Sequence, residues 1–104
     1  MASAGGGNIY PYPYKIMFNT VIEALIESGF KILVIDEFYG IIRAKTKISF
    51  KSWGEVIVAN LVRTPHGIQI VITSHAHQLY DWGKSKENID KFFNILNYKV
   101  MSMR

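Results

Sequence analysis

Cysteine is absent from the 104 residues of this chain. Its absence removes disulfides, thiol nucleophiles and thiolate metal sites together, and says little about compartment. No apolar run approaches the roughly 20 residues that a bilayer-spanning helix requires. The opening MASAGGG lacks the charged start and apolar centre of a signal peptide, so a cytoplasmic protein is expected. The sequence also lacks a phosphate-cradling glycine loop, a nucleophile elbow and zinc-finger spacing. No cofactor is implied.

What is present describes an ordinary globular chain, 49% hydrophobic and 19% charged. One domain is expected, long enough to bury roughly two-thirds of the surface its unfolded form exposes. Its expected bounds are 8–98, with 1–7 a flexible leader and 99–104 a loose tail. The net charge of +4 permits anionic partners and is equally ordinary for a soluble small domain.

Two prolines fall in NIYPYPY, Asn8 to Tyr14. Because proline lacks a ladder donor, this stretch reads as an edge strand or a polyproline-type arm, with Tyr10, Tyr12 and Tyr14 in structural roles. From Lys15 to Ser28 the residues Met17, Phe18, Val21, Ile22, Leu25 and Ile26 recur at three- and four-residue spacings. That spacing predicts a helix with one buried face, stopped by Gly29.

Phe30 to Phe38 is rich in β-branched residues and apolar on both alternating faces, which predicts a strand covered at least partly on both sides. Tyr39 and Gly40 make a turn. From Ile41 to Phe50 the chain alternates, with Ile42, Ala44, Thr46, Ile48 and Phe50 on one face and Arg43, Lys45 and Lys47 on the other. Glu55 to Val62 and Gly67 to His75 read as two further strands around a turn at Arg63 to His66. Ser85 is then the expected N-cap of a closing helix reaching Asn97, with Ile89, Phe92, Phe93 and Leu96 as its apolar stripe.

The expected fold is α+β, a two-layer sandwich. A four-stranded antiparallel meander is flanked in sequence by two helices on one face, with an extra N-terminal edge strand as an option. The nearest match in order is the β-α-β4-α topology of TATA-binding-protein-like domains.

Several residues also carry a family likeness. Gly40 leads the second strand of the meander, Glu55 starts the third, Ser74 sits near the end of the fourth, and Asp81-Trp82-Gly83 stands six residues before Ile89. From Lys15 to Leu96 this pattern resembles a bacterial family catalogued as a domain of unknown function. The resemblance implies the same order of elements and brings no activity with it. Where that family usually has an arginine after the serine segment, this chain has His77 nearby, at a different spacing from the aspartate.

Three kinds of chemistry can be drawn from the residues. His75 and His77 are two apart, share a strand face, and with Asp81 would supply three protein ligands for a metal. The same pattern serves as surface histidines at a strand end, with Asp81, Gly83 and Ser85 shaping the turn into the helix. Arg43, Lys45, Lys47 and Lys51 place four positive charges in nine residues. Such a row can contact phosphates or simply lie solvated on an outer sheet face. Trp53 and Trp82 close the ends of a core or, with His75 and His77, form an aromatic and imidazole rim.

With no catalytic constellation visible, the leading expectation is a non-enzymatic domain that binds a protein or small-molecule partner at the rim or the exposed sheet face. Nucleic-acid binding by the basic row, and a metal-dependent hydrolase around the His-x-His segment, are the alternatives.

Overall fold

The computed structural model describes residues 3–46, 54–76 and 82–103. Its elements run β1 (Ser3–Tyr10), α1 (Tyr14–Glu27), β2 (Lys31–Asp36), β3 (Ile41–Lys45), β4 (Glu55–Thr64), β5 (Gly67–Ala76) and α2 (Trp82–Met101). The strands form one antiparallel sheet in the order β1-β5-β4-β3-β2. The architecture is α+β, with both helices on one face.

The core follows from strand alternation. Ile42 and Ala44 of β3, Ile57, Ala59 and Leu61 of β4, and Ile68, Ile70 and Ile72 of β5 point to the helical side and are buried. Met17, Phe18, Val21 and Leu25 of α1 meet Ile89, Phe92 and Leu96 of α2 above them. Met17, Leu25, Phe92 and Leu96 have no exposed surface, so the space between sheet and helices is filled by side chains.

Helix α1 starts after Pro13, whose carbonyl accepts the Met17 N–H at 3.0 Å, and it ends at Gly29, with φ 88°. Both ends lie within a residue or two of what its periodicity predicts.

Four expectations need correction. Ser3 to Gly7, expected as a leader, lies in β1 and pairs along its length with β5, from Ser3 opposite His75 to Tyr10 opposite Ile68. Backbone pairing to a neighbouring strand overrides the weak strand propensity of three glycines. The tyrosines then turn inward. Tyr10 is buried and its hydroxyl donates to Asn97 Oδ1 at 2.6 Å, while Tyr14 stacks on Phe18 with ring centroids 5.7 Å apart.

The strand expected to be covered on both sides is an edge strand. Leu33, Val34 and Ile35 of β2 are each about half exposed, because the sheet ends there and only one of its faces carries helices.

The closing helix is longer than expected at both ends. Trp82 and Gly83 belong to its first turn and Ser85 lies inside it, so none of the three forms the anticipated turn and cap. At the other end the supposed loose tail is helical to Met101, and Val100 is buried in the core. An apolar residue one turn beyond Leu96 extends the stripe and holds the helix down.

Candidate functional site

The sheet face opposite the helices is covered by no described element. Residues paired across antiparallel strands share a face, so the register assigns its rows directly. One row is Lys31, Lys45 and Val56, with the backbone of His75 paired next to Val56; the next is Val34, Arg43, Val58 and Thr73; a third is Asp36, Ile41, Asn60 and Val71. Val56, Val58 and Val71 are partly exposed, Val62 is exposed, and Arg43 and Lys31 are exposed at the β2–β3 corner.

Lys31 and Lys45 are thus directly opposed like charges, a cross-strand arrangement that costs a few tenths to about 1 kcal/mol relative to neutral neighbours. Arg43 lies on the same face, two residues from Lys45. Among the described residues none of the three forms an ion pair, since the pairs seen join Lys15 to Glu37, Lys86 to Asp90, and Lys99 to Glu23 and Glu27. Lys31 was missed in the sequence because it sits in a different strand, twelve residues before Arg43. Only the register brings it beside Lys45.

At the same end of the sheet, on the helical side, lies a buried polar cluster. Glu55 opens β4 with no exposed surface; its Oε2 accepts the Ser74 hydroxyl at 2.5 Å and its Oε1 accepts the Asn88 side-chain amide. Its backbone is held as well, with Glu55 N–H donating to Thr46 Oγ1 at 2.8 Å and Thr46 N–H to the Glu55 carbonyl at 2.9 Å. A carboxyl group this deeply buried requires such donors. The cluster ties β4, β5, α2 and the end of β3 together. Both carboxyl oxygens are occupied and closed in, which suits a clamp better than a general base.

Glu55 and Ser74 are two positions of the family-like pattern, and here they are hydrogen-bonded to each other. Asn88, 33 residues from Glu55, completes the cluster without any sequence signal beyond its place on α2.

A groove of about 580 Å³ runs between the helices, lined by Thr20, Glu23, Glu27, Ile95, Tyr98 and Lys99 among others. Lys99 Nζ bridges its two acids, reaching Glu23 Oε1 at 3.4 Å and Glu27 Oε2 more closely. The hydrogen bond that Lys99 donates to Glu27 holds the ammonium above the usual lysine range. The four-residue spacing of Glu23 and Glu27 on α1 was the available signal for this site.

Lys47, Lys51, Trp53, His77 and Asp81 lie outside the described residues. The backbone of His75 belongs to β5, and those of Trp82, Gly83 and Ser85 to α2. Lys45 pairs with Lys31 and Val56, and Glu55 pairs with Ala76, so these strand ends lie together at one end of the sheet. Among the described residues no three His, Asp or Glu side chains are grouped as metal ligands, and no helix is long and apolar enough to cross a membrane.

No protein-family model matches the chain. No curated protein matches it in sequence. Among solved structures it is similar to the crystal structure of Ara h 8.0201, at 12% identity and a TM-score of 0.64, over 96% of this chain and 97% of that one. At that identity the likeness bears on fold alone. It points to a helix-grip fold rather than a TATA-binding-protein-like one, while the elements themselves run in the β-α-β4-α order expected from the sequence.

Proposed function

We propose that this chain is a small non-enzymatic binding module whose working surface is the open face of its sheet. The observation that carries the reading is the Lys31–Lys45 pair. Two opposed lysines beside Arg43 lower the stability of the isolated domain, and an anionic group lying over the corner would relieve that repulsion. Val34, Val56 and Val58 supply apolar surface next to it, so the partner that fits is negatively charged at one end and apolar at the other. The interior, filled by Phe18, Phe92 and Leu96, leaves the surface as the place to bind. The rim of Trp53, His75, His77 and Trp82 belongs to the same proposal through His75, whose backbone is paired next to Val56. A cytoplasmic setting goes with this reading.

Amide-shift mapping tests it, with an acidic peptide, a single-stranded oligonucleotide and anionic detergent micelles as probes. Shifts confined to Lys31, Arg43, Lys45, Val56 and Val58 are expected with at least one probe. A face silent to all three overturns the reading.

The like-charged corner also favours nucleic acid as a second reading. It predicts affinity for the oligonucleotide that falls with salt at a log–log slope of about −2, for three phosphate contacts at roughly −0.7 each. Arg43→Glu with Lys45→Glu should abolish that binding, and salt-independent binding that survives both changes removes the reading.

A further inference from the structure

We infer that β2 pairs with β2 of a second copy of this chain, antiparallel, in the register that sets Lys31 of each copy against Asp36 of the other. β2 is the last strand of the sheet, and among the described residues no strand lies beside its outer edge. Edge strands that stay single usually carry a charge or a proline along their length. Between Lys31 and Asp36 this one carries neither; it reads Lys-Ile-Leu-Val-Ile-Asp.

That hexapeptide is complementary to itself when reversed. Lys31 meets Asp36, Ile32 meets Ile35, and Leu33 meets Val34. A closed two-fold dimer requires the same patch on both copies to fit itself, and this register satisfies that requirement in charge and in shape.

The bulge makes the register sterically consistent. In a dimer whose two-fold axis stands perpendicular to the sheet, residues opposed across the seam must point to the same face. Five residues apart in a regular strand, Lys31 and Asp36 would point to opposite faces. In β2 the register to β3 slips between Ile32 and Val34, so that Leu33 is an extra residue. Lys31, Val34 and Asp36 consequently pair with Lys45, Arg43 and Ile41 on the open face, while Ile32 and Ile35 pair with Ala44 and Ile42 on the helical face. Lys31 then opposes Asp36 on the open face, and Ile32 opposes Ile35 on the helical face.

Exposed apolar surface continues past the strand. Phe38 is 85% exposed and Tyr39 72%, in the turn that ends β2, and Ile26 is 56% exposed near the end of α1. Antiparallel pairing carries each turn toward the other copy's α1–β2 corner. The two rings alone present about 300 Å² per copy, taking roughly 200 Å² for each aromatic. With Leu33, Val34, Ile35 and Ile26 added, the patch is of the scale of the roughly 800 Å² per partner found in specific complexes. The pairing does not depend on what the open face binds, and it would join the two open faces into one surface.

Sedimentation velocity on the full chain, without ligand, from low micromolar to near-millimolar concentration, tests the inference. Wild type should shift toward twice the monomer mass as concentration rises. Val34→Lys, which puts a charge on each side of the seam, should remain monomeric throughout. Lys31→Glu sets two acids against each other at both ends and should weaken association about tenfold or more. It also relieves the Lys31–Lys45 repulsion and leaves the Asp36 Oδ1 bond to the Tyr39 N–H intact, so the fold is retained, as far-UV circular dichroism would record. A wild type that stays monomeric, or a dimer untouched by Val34→Lys, overturns the inference; a dimer lost in Val34→Lys but unchanged in Lys31→Glu overturns the register.

Discussion

Replacing Gly67 with alanine should be among the most damaging single-methyl changes in this chain. Gly67 follows the Pro65-His66 turn, pairs with Thr64, and has φ 138°, a backbone setting that side chains with a Cβ rarely adopt. An added Cβ would lie 2.2 Å from the Tyr10 carbonyl oxygen, 2.7 Å from the Tyr10 carbonyl carbon and 2.9 Å from the Pro11 Cα. All three are backbone atoms, so no rotamer change relieves the overlap. Strain of this kind costs about 1 to 3 kcal/mol. Moving the end of β1 aside also gives up the Tyr10–Asn97 hydrogen bond, about 1 kcal/mol, together with part of the Tyr10 burial. A total of about 3 to 5 kcal/mol follows, a large share of the roughly 5 to 15 kcal/mol available to a small domain. Urea unfolding measures the loss, and amide exchange locates it, with β1 expected to open first. Gly7→Ala is the control: its Cβ would approach nothing nearer than the Ile70 carbonyl oxygen at 3.2 Å, and a change within about 1 kcal/mol is expected. A Gly67→Ala protein within about 0.5 kcal/mol of wild type would refute the reasoning.

Other outcomes follow from burial. Phe92→Ala should cost about 3 to 5 kcal/mol, since Phe92 has no exposed surface, while Ile22→Ala, only partly buried, should cost about 1 to 2 kcal/mol; equal losses in urea unfolding would contradict this placement of the core. Burial raises the Tyr10 phenol above its usual value, with the Asn8 hydrogen bond partly opposing the shift. A raised value in the folded state means that the unfolded chain ionises first, so this contribution is complete below about pH 10 and is lost as pH rises through the folded value. Tyr10→Phe should therefore cost about 1 kcal/mol near neutral pH and show a smaller loss of stability than wild type between pH 8 and 11, followed by urea midpoints.

Much of the fold was legible because periodicity is a local property. Met17, Phe18, Val21 and Leu25 mark the buried stripe of α1, and the alternation of Ile42 and Ala44 with Arg43 and Lys45 marks the two faces of β3, with no knowledge of neighbours. Where local signals were weak or shared between states, the reading failed. Ser3 to Gly7 carries no side-chain pattern, so only pairing with β5 makes it a strand. The run from Phe30 to Phe38 looks buried on both sides because an apolar edge strand and a central strand share one composition. Ser85 resembles an N-cap in type, yet α2 begins at Trp82, three residues earlier.

The candidate sites divide in the same way. Composition and order alone determined an α+β chain without thiol chemistry, with a basic row on β3 and an apolar stripe on its closing helix. Lys31 beside Lys45, the closure of Glu55 by Ser74 and Asn88, and the ends of Lys-Ile-Leu-Val-Ile-Asp turned to one face by a bulge were decided by tertiary structure. Each depends on register or on contact between residues far apart in sequence. A residue carries its charge, size and conformational preference along the chain, but its neighbour across a sheet is chosen by the packing of the whole domain.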